Sequence, residues 1–275
     1  MTCIAAIQMA SGSNVQGNLT EAERLIAAAV ANGAQMVVLP ENFAHMGLDE
    51  ADKLSFSEEI GEGPIQSFLA EQATKHKIWL VAGTIPVKTV DAQRVAAACL
   101  VYNDKGELVA RYDKYHLFDV QIAGTQEHYL ESATIKAGDE LVWFDSPLGR
   151  VGLAICYDIR FPELFRHLMR YEIDIFVVPS AFTATTGVAH WESLIRSRAI
   201  ENLSYVVAAN QGGYHVNGRE THGDSMIVDP WGTILDRLPR GSGFVQAKVD
   251  LNQMQMLRST FPALAHRRMT CGIKE

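Results

Sequence analysis

The chain has 275 residues, 48% hydrophobic and 20% charged, a balance that fits a folded globular protein and argues against disorder. Its 24 basic and 32 acidic residues leave a net charge of −8, so an extended phosphate-binding surface, and with it nucleic acid as a partner, is not expected. No apolar stretch reaches the roughly 18 residues of a membrane helix, and Met1–Ala10 carries no basic segment that would predict a secretory leader. Four cysteines (Cys3, Cys99, Cys156, Cys271) are too few for a disulfide framework, so a reducing cytoplasm and no membrane partner are expected.

In chain order, Cys3–Met9 is the first predicted strand. Asn18 is the expected N-cap of a helix, with Glu21 completing a capping box and Leu19, Ala22, Leu25, Ile26, Ala29 and Val30 at helical spacing up to a stop at Gly33. Met36–Leu39 is a short strand too uniformly apolar to face water, and it closes a β-α-β unit at Pro40-Glu41. Ile78–Val87, Val95–Tyr102 and Leu108–Tyr112 read as strands, the last two joined by a turn at Asn103–Gly106. Val151–Ile155 is followed by a helix over Pro162–Tyr171, Ile173–Val178 by a helix over Trp191–Asn202, and Tyr205–Ala209, Ser225–Val228 and Phe244–Val249 complete the strands. Many strands with helices between only some of them predict a layered, sheet-rich α/β fold, and no linker or repeat divides residues 1–275 into more than one domain.

Three residues stand just beyond strand ends, where α/β proteins build their sites. Cys156 closes the run Val151–Ile155 and precedes a polar turn and the Pro162-Glu163 helix start, a strand-turn-helix corner that would present a nucleophile and favour a thiolate. The same context suits a buried core thiol equally well. Glu41 follows an apolar strand, and desolvation there would raise its pKa toward the range of a general base, although a lone acid in such a loop is more often solvated. Lys114 ends a strand as well, where an exposed edge residue is the common case. His116 and His190 are each candidates to pair with Cys156 in the manner of a cysteine protease. Asp158 and Arg160 straddle a turn as a local ion pair would, Cys3 and Cys99 read as core, and the nine histidines show no metal-ligand spacing.

Taken together, Leu39–Phe43, Tyr112–Asp119 and Gly152–Glu163 resemble, in order, the three signature segments of the nitrilase superfamily of carbon–nitrogen hydrolases. The resemblance implies an α-β-β-α sandwich paired through its helical face into homodimers or larger homo-oligomers, acting on a small-molecule amide without metal or organic cofactor. It implies Glu41 as general base, Lys114 and the backbone N–H of Tyr157 as oxyanion stabilisers, Cys156 as nucleophile and Glu131 as a second glutamate supporting the lysine. Within the superfamily, Pro179–Phe182, Ala189–Glu192, Arg196–Glu201 and Ser225–Gly232 most resemble the deaminated glutathione amidases, which release α-ketoglutarate and cysteinylglycine from a damaged metabolite. The related ω-amidases, acting on α-ketoglutaramate and α-ketosuccinamate, are the alternative. Val188 and Asp224 depart from the pattern, which favours Pro and His there. Arg160, Arg196 and Arg198 are candidate grips for substrate carboxylates. A non-catalytic binding protein on the same fold remains the contrasting expectation, although it has no need of all three reactive residues.

Overall fold

The computed structural model describes residues 2–122 and 127–270, which leaves Cys271 outside the described residues. Two mixed sheets form its centre. The first runs in the order Gly243–Val249, Thr2–Gln8, Met36–Val38, Trp79–Val81, Val95–Tyr102 and Ile85–Lys88, with Leu108–Asp113 also paired to Val95–Tyr102. The second runs Ile234–Leu238, Ser225–Val228, Tyr205–Ala208, Ile175–Val177, Gly149–Leu153 and Trp143–Ser146. In each sheet the three central strands that open a β-α-β path are parallel, and the flanking strands are antiparallel.

The alternation of side chains along the strands assigns the layers. Ala5, Ile7, Val37, Leu39 and Leu80 pack with Leu25 and Ile26 of helix α1 (Val15–Ala31) and Leu69 of α2 (Pro64–His76). Their neighbours Ile4, Ala6, Met36, Val38 and Val81 turn the other way and join Val151, Leu153 and Val177 of the second sheet. On that sheet's far side lie α3 (Pro162–Leu168) and α4 (Ala184–Asn202), which contribute Phe165, Leu168, Trp191 and Ile195. The molecule is therefore the expected α-β-β-α sandwich, and its central strands are apolar on both faces because both faces are covered. A last helix, α5 (Leu251–Thr260), is capped by Asp250, whose side chain accepts from Gln253 N–H. Among the described residues no helix is long and apolar enough to cross a membrane.

Several sequence expectations need correction. The cap of α1 is Asn14, whose side chain accepts from Gly17 N–H at 3.0 Å. Asn18 lies inside the helix, buried, where its amide bonds the backbone of Gly12 and Ala44. The single strand expected over Ile78–Val87 is broken at Gly83, whose φ of +60° and 2.0 Å approach of a would-be Cβ to the Pro40 carbonyl leave room for glycine alone. The segment Pro162–Tyr171 is α-helical only to Leu168 and then tightens into a 3₁₀ turn, while α4 starts at Ala184, a full seven residues before Trp191. The helix α2 was not expected. It buries Gln66 and Gln72 alongside Ile65, Leu69 and Ala73, so its inward stripe is too narrow and too polar to stand out as periodicity.

Candidate active site

The ends of strands from both sheets meet in one cleft. Glu41 follows Met36–Val38 and Lys114 follows Leu108–Asp113, both of the first sheet, and Cys156 follows Gly149–Leu153 of the second. Lys114 Nζ donates to Glu41 Oε1 at 2.8 Å and to Glu131 Oε1 at 2.9 Å, so one buried ammonium bridges two carboxylates. The remaining oxygens are fixed by backbone: Ala181 N–H donates to Glu41 Oε2 at 2.8 Å, and Phe118 N–H to Glu131 Oε2 at 2.7 Å. All four residues, with Tyr157, line the same cleft. The structure thus brings Glu41, Lys114, Glu131 and Cys156 together in one cleft.

Cys156 opens a short 3₁₀ helix, Cys156–Arg160, with φ of +44°, a left-handed conformation that costs a side-chain-bearing residue strain and concentrates at functional sites. Four bonds hold it there. Its own N–H donates to the Pro179 carbonyl at 2.9 Å, and Asp158, fully buried, accepts from Ile155 N–H at 2.8 Å, Tyr112 OH at 2.7 Å and His116 N–H at 3.0 Å. The next N–H along, that of Tyr157, has no acceptor among the described residues, as expected for an orphan donor at a helix start. Asp158 thus braces the nucleophile turn and is not the ion-pair partner of Arg160. The charge on its carboxylate also raises the Tyr112 hydroxyl pKa, second to burial.

The electrostatics differ from what the sequence implies. For Glu41, burial is the largest influence and pushes the pKa up, but the Lys114 charge and hydrogen bond, with help from the Cys156 thiol and Arg219, hold the carboxyl below its ordinary range. A Glu41 raised by apolar walls is therefore corrected to a Glu41 kept ionised by a buried ammonium. For Lys114, burial works against the charge, but Glu131 and Glu41 together raise its pKa well above the usual value. Cys156 goes the other way from a helix-stabilised thiolate. Burial first, and then the negative charge of Glu41 facing it, push the thiol up, more than Lys114 and the Ala181 backbone pull it down. At neutral pH the cleft holds a thiol, a carboxylate beside it and an ammonium beside both.

The histidine pairings do not form. His116 Nδ1 sits 2.7 Å from Asp158 Oδ1 and its ring stacks on Phe161 at 3.7 Å, while His190 is exposed on α4 with Nδ1 3.2 Å from Arg160 Nη1. Neither lines the cleft. Of the three candidate grips, Arg198 is buried in bonds to the Ile159 carbonyl and Glu201, and Arg196 is held by the Gly232 carbonyl and Glu192. Only Arg160 reaches the cleft, lying over the rings of Phe182 and Tyr157. Sequence reasoning missed Lys53, Tyr129 and Arg219, which also line it. Each comes from a separate loop or short element with no motif around it. The departure at Asp224 is structural: its carboxylate takes a two-pronged bond from Arg237 and its carbonyl accepts from Trp191 Nε1 at 2.7 Å. Val188 is exposed on α4, outside the cleft. Cys99 is buried core, with burial raising its thiol pKa, and Cys3 is half-buried in the first strand.

Residues 3–259 match the family described as carbon–nitrogen hydrolase. A protein of Synechocystis sp. named deaminated glutathione amidase is 42% identical over 266 residues, which cover 96% of this chain and 97% of that one. Among solved structures, the Caenorhabditis elegans NitFhit protein superposes with a TM-score of 0.91 at 38% identity, covering 100% of this chain and 67% of that one. Nit3 of Saccharomyces cerevisiae, described as a member of branch 10 of the nitrilase superfamily, gives 0.87 at 30% identity, covering 98% and 97%.

Proposed function

The chain belongs to the carbon–nitrogen hydrolase family, and from that premise we propose that Glu41, Lys114 and Cys156 form the catalytic unit of an amidase that cleaves deaminated glutathione. The observation that carries this reading is the ionised Glu41, held by Lys114 and facing a protonated Cys156 in a shared cleft. Proton and base start on the right partners. Glu41 takes the thiol proton as the sulfur attacks the amide carbonyl carbon, so the charged nucleophile exists only while it is being consumed. The oxygen that becomes negative is met by the Lys114 ammonium and the unoccupied Tyr157 N–H, each such donor worth roughly 10²–10³ in rate.

Collapse of the tetrahedral adduct breaks the carbon–nitrogen bond, and protonated Glu41 gives its proton to the departing amine. The acyl group then sits on Cys156 as a thioester. A water molecule, deprotonated by the same carboxylate, attacks that carbonyl, and the thiolate leaves and recovers its proton from Glu41. Glu131 acts through Lys114: it accepts a second bond from the ammonium, so the lysine is held in place when Glu41 is neutral in mid-cycle. With deaminated glutathione the acyl product is α-ketoglutarate and the leaving amine is cysteinylglycine. The substrate assignment draws on the names of the relatives and on Arg160, a guanidinium on the nucleophile's own turn that suits the keto-acid carboxylate.

The test is a side-by-side measurement of kcat/KM on deaminated glutathione and α-ketoglutaramate, with products identified by mass, since specificity is a ratio of these values. A higher value for deaminated glutathione supports the proposal. A higher value for α-ketoglutaramate makes the protein an ω-amidase, and hydrolysis of neither overturns the reaction assignment.

A further inference from the structure

The charges lining the cleft do not cancel. Lys114 is committed to Glu41 and Glu131, and Lys53 to Glu50. That leaves Arg160 and Arg219, neither of which has a carboxylate within ion-pair distance among the described residues, although both line the cleft. Arg219 is the less explained of the two. One Nη2–H donates to the Ala181 carbonyl and the guanidinium lies 5.1 Å from the Tyr129 ring centroid, yet Nε is buried with no hydrogen-bond partner. A guanidinium has five N–H donors in a fixed fork suited to a carboxylate, and a buried donor left unmet costs free energy.

Its position says which end of a substrate it can reach. Ala181 is the link: its N–H holds Glu41 and its carbonyl holds Arg219, so Arg219 stands on the Glu41 side of the cleft. Glu41 protonates the departing amine, so that side is the leaving-group side. Arg219 also borders a second recess of about 500 Å³ that adjoins the cleft and shares Glu50, His128 and Tyr129 with it. A leaving group of two amino-acid residues extends roughly 7 Å beyond the scissile nitrogen, enough to carry a terminal carboxylate toward that opening.

We propose that Arg219 is a specificity-determining residue that binds the terminal carboxylate of a dipeptide leaving group, and so separates substrates that release a peptide from those that release ammonia. This rests on the amidase reading above. The tight case is electrostatic, because a charge-assisted, two-pronged bond formed by a partly desolvated guanidinium outweighs a neutral contact of the same shape. Tyr129 supports it as the ring against which the guanidinium is oriented.

The experiment compares deaminated glutathione with its C-terminal amide, a substrate of the same size whose leaving group has lost only the carboxylate charge. The wild type should prefer the carboxylate form by about 10- to 100-fold in kcat/KM, the range for a hydrogen bond to a charged group. Arg219→Gln should reduce that preference to within about threefold, mostly through KM, and Arg219→Lys should retain part of it. A substitution that disturbs Glu41 through Ala181, or that lowers the folded fraction, acts on both substrates alike and cancels in the ratio. A wild-type preference that survives Arg219→Gln, or no wild-type preference at all, overturns the assignment of Arg219 and leaves the catalytic unit standing. Failure of the wild type to hydrolyse either substrate overturns both.

Discussion

Glu41, Lys114 and Cys156 sit at strand ends, 4%, 2% and 8% exposed, and bonds to strand-end loops fix them from behind. Lys53, Arg160 and Arg219 stand around the opening of the same cleft on short 3₁₀ turns and a loop, held by fewer bonds. The floor derives its accuracy from two sheets whose registers are set by the core, and the rim derives its composition from loops that can vary without moving the sheets. The chemistry is therefore a property of the sandwich, whereas the choice of substrate is a property of what the loops add to it. The two should fail differently when altered.

The largest expected effect is at the floor. Glu41→Gln keeps the shape and removes both the base and the acid, so kcat should fall by at least about 10³-fold while circular dichroism stays that of the wild type. If it retained most of its activity, the floor would not contain the base. Lys114→Met should cost about 10²–10³ in kcat through the lost oxyanion donor. It should also lower stability by about 3–5 kcal/mol, read as the midpoint of urea unfolding, because the buried Glu41 and the half-buried Glu131 lose their partner. A fully active Lys114→Met enzyme would remove the lysine from the mechanism.

A subtler difference concerns proton positions. The Glu41 charge helps to raise the Cys156 pKa, so in Glu41→Gln the apparent pKa for alkylation of Cys156 by iodoacetamide should move down. An upward movement, followed by mass across a pH series, would contradict the electrostatic account of the floor. In the wild type, Glu41 is depressed below its ordinary 4.5, so the carboxylate base should persist as pH falls through that value and be lost only below it. The same shift gives a stability contribution present above pH 4.5 that disappears as pH falls through the folded-state pKa. A kcat/KM that declines with an apparent pKa above 4.5 would show that Glu41 is not held by Lys114. The smallest effect is expected from His190→Ala, which removes a bond to Arg160 from outside the cleft lining and should change kcat/KM less than about threefold. A loss as large as that of Glu41→Gln would restore a cysteine–histidine pairing.

Most of the floor was legible because Glu41 and Cys156 each follow an apolar strand, in Leu39-Pro40-Glu41 and Ala154-Ile155-Cys156, and Lys114 ends a strand within a motif of its own. What the sequence could not show were the contacts between such segments. Glu41 and Lys114 are 73 positions apart, and only their 2.8 Å contact reverses the pKa direction that apolar walls alone imply. Asp158 reads in sequence as half of a local ion pair, because the partners that bury it, Tyr112 and His116, come from the other sheet's side of the cleft. Arg219 had no local signal at all. Its relevance depends on packing against Ala181, 38 positions away. Asn14 and Asn18 share a residue type and lie one turn apart, so composition could not choose the cap, and the bonds of Asn18 to Gly12 and Ala44 made the choice.

The central claim is that one sulfur becomes acylated because one carboxylate removes its proton. Rapid quenching of the enzyme with deaminated glutathione, followed by peptide mass mapping, tests this directly. The account predicts an α-ketoglutaryl group on the Cys156 peptide of the wild type and none on that peptide in Glu41→Gln over the same interval. Acylation at another residue, or equally fast acylation of Cys156 without Glu41, would contradict it.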